Sequence, residues 1–144
     1  MTGELYEKNF ASTPTRAFAL TGAAAMSAAG FTLWYFNPET AGFFPVCPLY
    51  KLTGWACPGC GLTRGMHAFL HGEFLTALDY NLLLPAVLLF AAVLFVTLVS
   101  IFARGRGVNF KFFTPKLIYG FFIIALVFGV ARNLPFYPFN ILYP

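Results

Sequence analysis

Apolar residues along this chain collect into three long runs, Ala17 to Phe36, Leu82 to Ala103 and Leu117 to Ala131, and none of the runs contains a charge. A helix needs roughly 20 apolar residues to cross about 30 Å of hydrocarbon. The pattern therefore predicts an all-α membrane protein with three transmembrane helices, over about residues 17–36, 82–103 and 115–132. The first run follows Arg16 and is rich in alanine, like a secretory signal, but it continues through Phe31, Leu33, Trp34, Tyr35 and Phe36, and is read as an uncleaved anchor. The second carries Pro85 only in its first turn, where proline does little harm. The third is shorter, and spans by letting Lys116 and Arg132 stretch toward the headgroups.

The connection over residues 37–80 is too long to be structureless. Asn37-Pro38 ends the first helix, and Pro45 and Pro48 predict extended chain near the membrane surface. From Leu62 the pattern changes: Leu62, Met66, Phe69, Leu70, Phe74 and Leu78 recur at helical spacing and predict a short amphipathic helix lying in the interface. Its other face would stack Arg64, His67 and His71. A helix starting at Pro58 would add Cys60 to that stripe, whereas a cap at Thr63 would leave the cysteines in a glycine-rich turn. Gly72 is the expected stop.

Composition agrees with the pattern. Hydrophobic residues make up 59% of the 144 and charged residues 10%, with a mean hydropathy of +0.73, against about 25% charged in a soluble domain. Lys8, Arg16, Arg104, Arg106, Lys111 and Lys116 share one side of a three-span chain, and Lys51, Arg64 and Arg132 the other. The basic excess marks the cytoplasmic side. It predicts a cytoplasmic N-terminus, a cytoplasmic loop over 104–114, and a 37–80 loop that faces the periplasm or cell exterior from a bacterial inner membrane. Phe110, Phe112 and Phe113 beside Lys111 suit an interfacial segment touching anionic lipid, so the net charge of +4 requires no nucleic-acid partner. The proline- and aromatic-rich tail from Asn133 to Phe139 is expected on the outer surface near the cysteines, with Arg132 available to a carboxylate there.

All three cysteines and both histidines fall between residues 47 and 72. Cys57 and Cys60, three positions apart in an oxidising compartment, suit a disulfide, structural or exchanging with a partner, with Arg64 and a nearby helix start favouring a thiolate. With His67 and His71 the same pair offers four ligands to a zinc-like ion. A third reading makes the cysteines small buried residues of a tight turn. Cys47 could replace a histidine as ligand, pair with Cys57 or Cys60, or stay free.

The run Cys47-Pro48, Thr53-Gly54, Cys57-Pro58-Gly59-Cys60-Gly61, Thr63-Arg64, His67, His71-Gly72 resembles the signature of an uncharacterised family of small bacterial multi-pass membrane proteins, domain of unknown function 2752. Gly65 departs from it, standing where alanine is expected, which would loosen the helix. The resemblance implies a membrane module with its motif at a helix entrance, and no reaction. Thr21, Ala24, Ala25, Ala28 and Ala29 on the first span, and Ala125 and Gly129 on the third, make small-residue faces that let helices approach closely. Together with the lack of a catalytic base set, these faces predict an accessory or scaffold subunit among other membrane subunits rather than an enzyme. The alternative expectation is a thiol-redox or metal-binding protein acting through Cys57 and Cys60.

Overall fold

A computed structural model describes residues 12–107 and 115–135, and within them every regular element is an α-helix. The expectations placed on Lys8, on Phe110, Lys111, Phe112 and Phe113, and on the tail from residue 136 fall outside the described residues. The helices are α1 (Thr13–Tyr35), α2 (Pro48–Thr53), α3 (Leu62–Leu70), α4 (Phe74–Tyr80), α5 (Leu84–Arg104) and α6 (Pro115–Ala131).

By length and composition α1, with 23 residues, and α5, with 21, can each cross a membrane, reaching about 30–35 Å at 1.5 Å per residue. Little of either is buried, unlike the core helix of a soluble protein. The third apolar helix, α6, has 17 residues and reaches only about 25 Å. Three expected spans thus become two helices of spanning length and a shorter one.

The chain forms two compact units, one joining α1 up to Phe31 with α5 from Val87, the other joining residues 32–86 with α6. In the first, α1 and α5 run antiparallel. A Cβ on Gly22 would lie 3.2 Å from Leu98 Cδ1, and one on Gly105, after the last turn of α5, 2.7 Å from the Arg16 guanidinium. Contact with α5 thus falls at Gly22, beside buried Ala19 and Ala23, whereas Thr21, Ala24, Ala25, Ala28 and Ala29, the small-residue face expected from the sequence, are exposed. The same packing gathers Arg16 to the end of α5 that carries Arg104.

In the second unit, residues 48–53 form a helix, not the extended segment expected around Pro48. Proline has no N–H to lose at a first helical position, and Pro48 occupies it. Gly54, at φ 75°, closes the turn through its N–H to Tyr50 O. The single amphipathic helix expected from Leu62 through Leu78 is instead a hairpin of α3 and α4. His71 ends α3, Gly72 takes φ 84° as the expected stop, and Glu73 N–H returns to Ala68 O at 2.9 Å. What the hairpin buries is its small face, Gly65, Ala68 and Ala77, with Leu84 of α5. Phe69, Leu70 and Phe74 remain exposed, as residues facing lipid would be.

The structure explains the glycine at position 65, where the sequence reading expected alanine. A Cβ there would lie 2.9 Å from Ala77 O and 3.3 Å from Leu84 Cδ2. The missing side chain lets α3 close on the backbone of α4, so the glycine tightens the hairpin where a loosened helix was expected. Gly65→Ala is expected to lower stability: the overlap costs about 1–3 kcal/mol, outweighing the roughly 1 kcal/mol gained in helix propensity. Thermal unfolding of the detergent-solubilised variant, followed by circular dichroism, measures the difference.

Candidate functional site: a three-cysteine loop

Between α2 and α3 the chain makes a tight turn, Cys60 N–H to Cys57 O at 3.0 Å, followed by Leu62 N–H to Gly59 O at 3.1 Å. Gly61, at φ 86°, sits at the N-cap of α3, a conformation that costs a residue with a side chain. The helix therefore starts after the cysteines, and Cys60 does not join a helical stripe with Arg64. The turn directs two thiols to one side, with the Sγ atoms of Cys57 and Cys60 3.4 Å apart and Cys57 N–H 3.2 Å from Cys60 Sγ.

Cys47, at the N-cap of α2, adds a third sulfur, and all three Sγ atoms lie within 4.8 Å of one another. Sulfurs about 2.3 Å from a tetrahedral ion stand about 3.8 Å apart, so the cluster has the spacing of a thiolate site. Among the described residues it is the one group of three or more metal-ligand types gathered this closely.

Three side chains from other elements fix the turn by its backbone. Fully buried Arg132, just past α6, donates from Nη1 to Cys57 O and Cys60 O, both at 3.0 Å. Its guanidinium also lies over the Phe128 ring, 5.0 Å from the centroid. The expected reach of Arg132 toward the headgroups is thereby overturned, since it points into the protein and its charge sits where the α6 dipole is negative. Buried Asn81 donates from Nδ2 to Pro58 O at 2.8 Å and Cys60 O at 3.0 Å, and accepts from Leu83 N–H at 2.8 Å. Asn133 completes a two-way bond with Ala56, accepting its N–H at 2.8 Å and donating to its carbonyl at 2.9 Å, and also donates to Gly129 O at 2.6 Å. Pro58 then rests on α6 at Gly129, where a Cβ would lie 2.7 Å from Pro58 Cγ. Gly129, expected to serve helix–helix contact, makes room for the loop.

The histidines stand apart from the sulfurs. His67 Nδ1 lies 2.6 Å from Leu33 O and His71 Nδ1 2.8 Å from His67 O. The proposed set of Cys57, Cys60, His67 and His71 is thus divided between two places, and Cys47 takes the third position in the cysteine cluster. Arg64 is exposed, its guanidinium 5.8 Å from the centroid of the Tyr80 ring, whose hydroxyl donates to Glu39 at 2.8 Å.

Residues 47–95 match the family model described as a protein of unknown function, DUF2752. No curated protein and no solved structure matches the chain. The DUF2752 segment begins at Cys47 and contains all three cysteines, Arg64, both histidines and Asn81. Arg132 and Asn133 lie beyond it, so part of the frame that holds the segment's cysteines comes from α6. Sequence reading missed Asn81 and Asn133 as site residues. Each is a polar residue next to an apolar helix, and nothing local says that it turns inward.

The thiols of Cys47 and Cys60 are shifted in opposite directions. The backbone N–H groups of Tyr50 and Leu49, near its sulfur though short of a capping bond, together with the thiols of Cys57 and Cys60, bring Cys47 down to about 7. Burial, reinforced by the Cys57 and Cys47 thiols, pushes Cys60 up to about 12. Contacting thiols release protons as a group.

Two outcomes are expected. In the reduced, metal-free protein, alkylation at Cys47 is slow below pH 7, where its thiol is protonated, and rises through pH 7, while Cys60 reacts more slowly than Cys47; peptide mapping after timed iodoacetamide treatment measures both. Arg132→Met removes two charge-assisted bonds from the loop and should lower stability by about 2–4 kcal/mol, with faster labelling of Cys57 and Cys60 in the variant that remains folded.

Proposed function

We propose that this chain is a membrane protein whose outer-face loop holds a soft, thiophilic metal ion on Cys47, Cys57 and Cys60. The observation that carries this reading is the meeting of three sulfurs from two separate segments on a loop fixed by Arg132, Asn81 and Asn133. Thiolates select zinc or copper(I) over hard cations. A trigonal ion would be complete with three sulfurs, and a tetrahedral one would keep a position for an exchanging ligand. With the Cys47 thiolate in place, binding releases the remaining protons. In this reading α1, α5 and α6 all span a bacterial inner membrane, the basic ends of α1 and α5 face the cytoplasm, and the loop faces outward. The sulfur cluster favours this reading over the scaffold-subunit role expected from the sequence.

A second reading, thiol–disulfide exchange, draws on the Cys57–Cys60 contact of 3.4 Å. The Cys47 thiolate would attack a partner disulfide and release one partner thiolate. A second thiol of the cluster would then displace the other, leaving an internal disulfide and two reduced partner sulfurs.

Metal analysis and thiol counting on the purified protein separate the readings. Expected is zinc or copper bound through sulfur, with one equivalent per chain lost alike in Cys47→Ser, Cys57→Ser and Cys60→Ser. A metal-free protein with two fewer titratable thiols under oxidation, restored by a thiol reductant, would replace the metal reading with exchange. A triple serine variant that still assembles with neighbouring membrane proteins and supports full cellular function would return the chain to a scaffold role.

A further inference from the structure

Outside the sulfur cluster, a second concentration of chemistry lies in the same unit. A pocket of about 270 Å³ is lined by Glu39, Arg64, His67, His71, Glu73 and Tyr80, among others. In a chain with 10% charged residues it takes both histidines and two of the five acidic residues. Most of its exposed lining is polar, whereas a groove on α5, lined by Phe95, Val96, Val99 and Ala103 among others, is almost wholly apolar.

The two imidazoles are held in one definite form. A carbonyl oxygen only accepts, so the contacts of His67 Nδ1 with Leu33 O, 2.6 Å, and of His71 Nδ1 with His67 O, 2.8 Å, put the ring hydrogen of each neutral imidazole on Nδ1. Each Nε2 is left with a lone pair. Metal-binding histidines are oriented in this way, with the second nitrogen donating to a carbonyl or carboxylate. The spacing of four residues on α3 places the two rings one turn apart, with centroids 4.3 Å from each other. Trp34 stacks on His71 at 10°, which fixes its plane. Glu39 is oriented by the hydroxyl of Tyr80, the same kind of outer support for a carboxylate.

We propose that this pocket binds a divalent first-row transition-metal ion, such as zinc, nickel or copper(II), through Nε2 of His67 and Nε2 of His71, with a carboxylate of Glu39 or Glu73 drawn in as the third ligand. The two rings already stand side by side; the carboxylate must move inward, because no histidine–carboxylate group of three lies as close as the cysteines do among the described residues. Two nitrogens and an oxygen suit borderline cations, as three sulfurs suit soft ones. The four-ligand Cys/His site suggested by the sequence thus becomes two sites of different chemistry. This second site does not depend on a metal at the cysteines.

The test uses the full chain in detergent, carrying Cys47→Ser, Cys57→Ser and Cys60→Ser so that sulfur cannot contribute. Copper(II) is titrated and followed by electron paramagnetic resonance. Expected is one ion per chain with hyperfine structure from two imidazole nitrogens, reduced to one nitrogen in His71→Ala with at least a roughly tenfold loss of affinity. A smaller loss in either Glu39→Gln or Glu73→Gln would identify the third ligand. Binding that keeps its affinity and nitrogen signature in a His67→Gln, His71→Ala variant would overturn the proposal, as would no binding by a chain whose helicity matches wild type. If the triple serine chain loses helicity, the same titration on wild-type protein with its thiols capped by N-ethylmaleimide decides by the same criteria.

Discussion

A buried arginine at the end of an apolar helix is the constraint on which the cysteine loop depends. Arg132 is fully out of solvent, and a guanidinium there is tolerable only where its charge is compensated. Its surroundings provide this through the carbonyl end of α6, the Phe128 ring and the carbonyls of Cys57 and Cys60. The dependence is mutual. A turn rich in glycine and proline has few ways to satisfy its own carbonyls, and Arg132, Asn81 and Asn133 satisfy those of Ala56, Cys57, Pro58 and Cys60. The loop is thereby fixed by its backbone, and its thiols are left for chemistry.

Small residues complete the arrangement. Gly129 admits Pro58 against α6, and Gly65 admits the α4 backbone against α3. Gly65 faces the carbonyl oxygen of Ala77 and Gly129 the ring carbons of Pro58, so shape decides both contacts. Large apolar side chains contribute little to this part of the core, which is built from Ala56, Ala68, Ala77 and Leu84, and Phe69, Leu70 and Phe74 stay on the surface. That inversion is what a membrane environment permits, since lipid accepts the large residues that water would drive inward.

Much of this protein was legible in order of chain. The apolar runs gave the long helices, Gly72 the end of α3, and the motif the two cysteines that touch. The errors have a common origin. Pro48 was read for what proline forbids, when the first turn of a helix forbids it nothing. Gly65 was read for its low helix propensity, when its value lies in contact with Ala77. Arg132 was read as reaching for headgroups because it borders an apolar run, a rule that ignores carbonyls folded back onto the same helix end. His67 and His71 were joined to the cysteines by spacing alone, although a turn at Gly61 separates them.

Residue type and spacing by themselves determined that the chain is helical and membrane-like, and that its reactive side chains lie in one interval. These properties follow from local composition and periodicity, which each segment carries with it. Beyond the Cys57–Cys60 pair, which reactive residues meet was decided by tertiary structure. Cys47 joins Cys57 and Cys60, the histidines turn to a separate pocket, and the residues that hold the loop come from positions 81, 132 and 133. Such meetings depend on buried hydrogen-bond donors finding acceptors far along the chain, and no local pattern records where a carbonyl will be left in need of one.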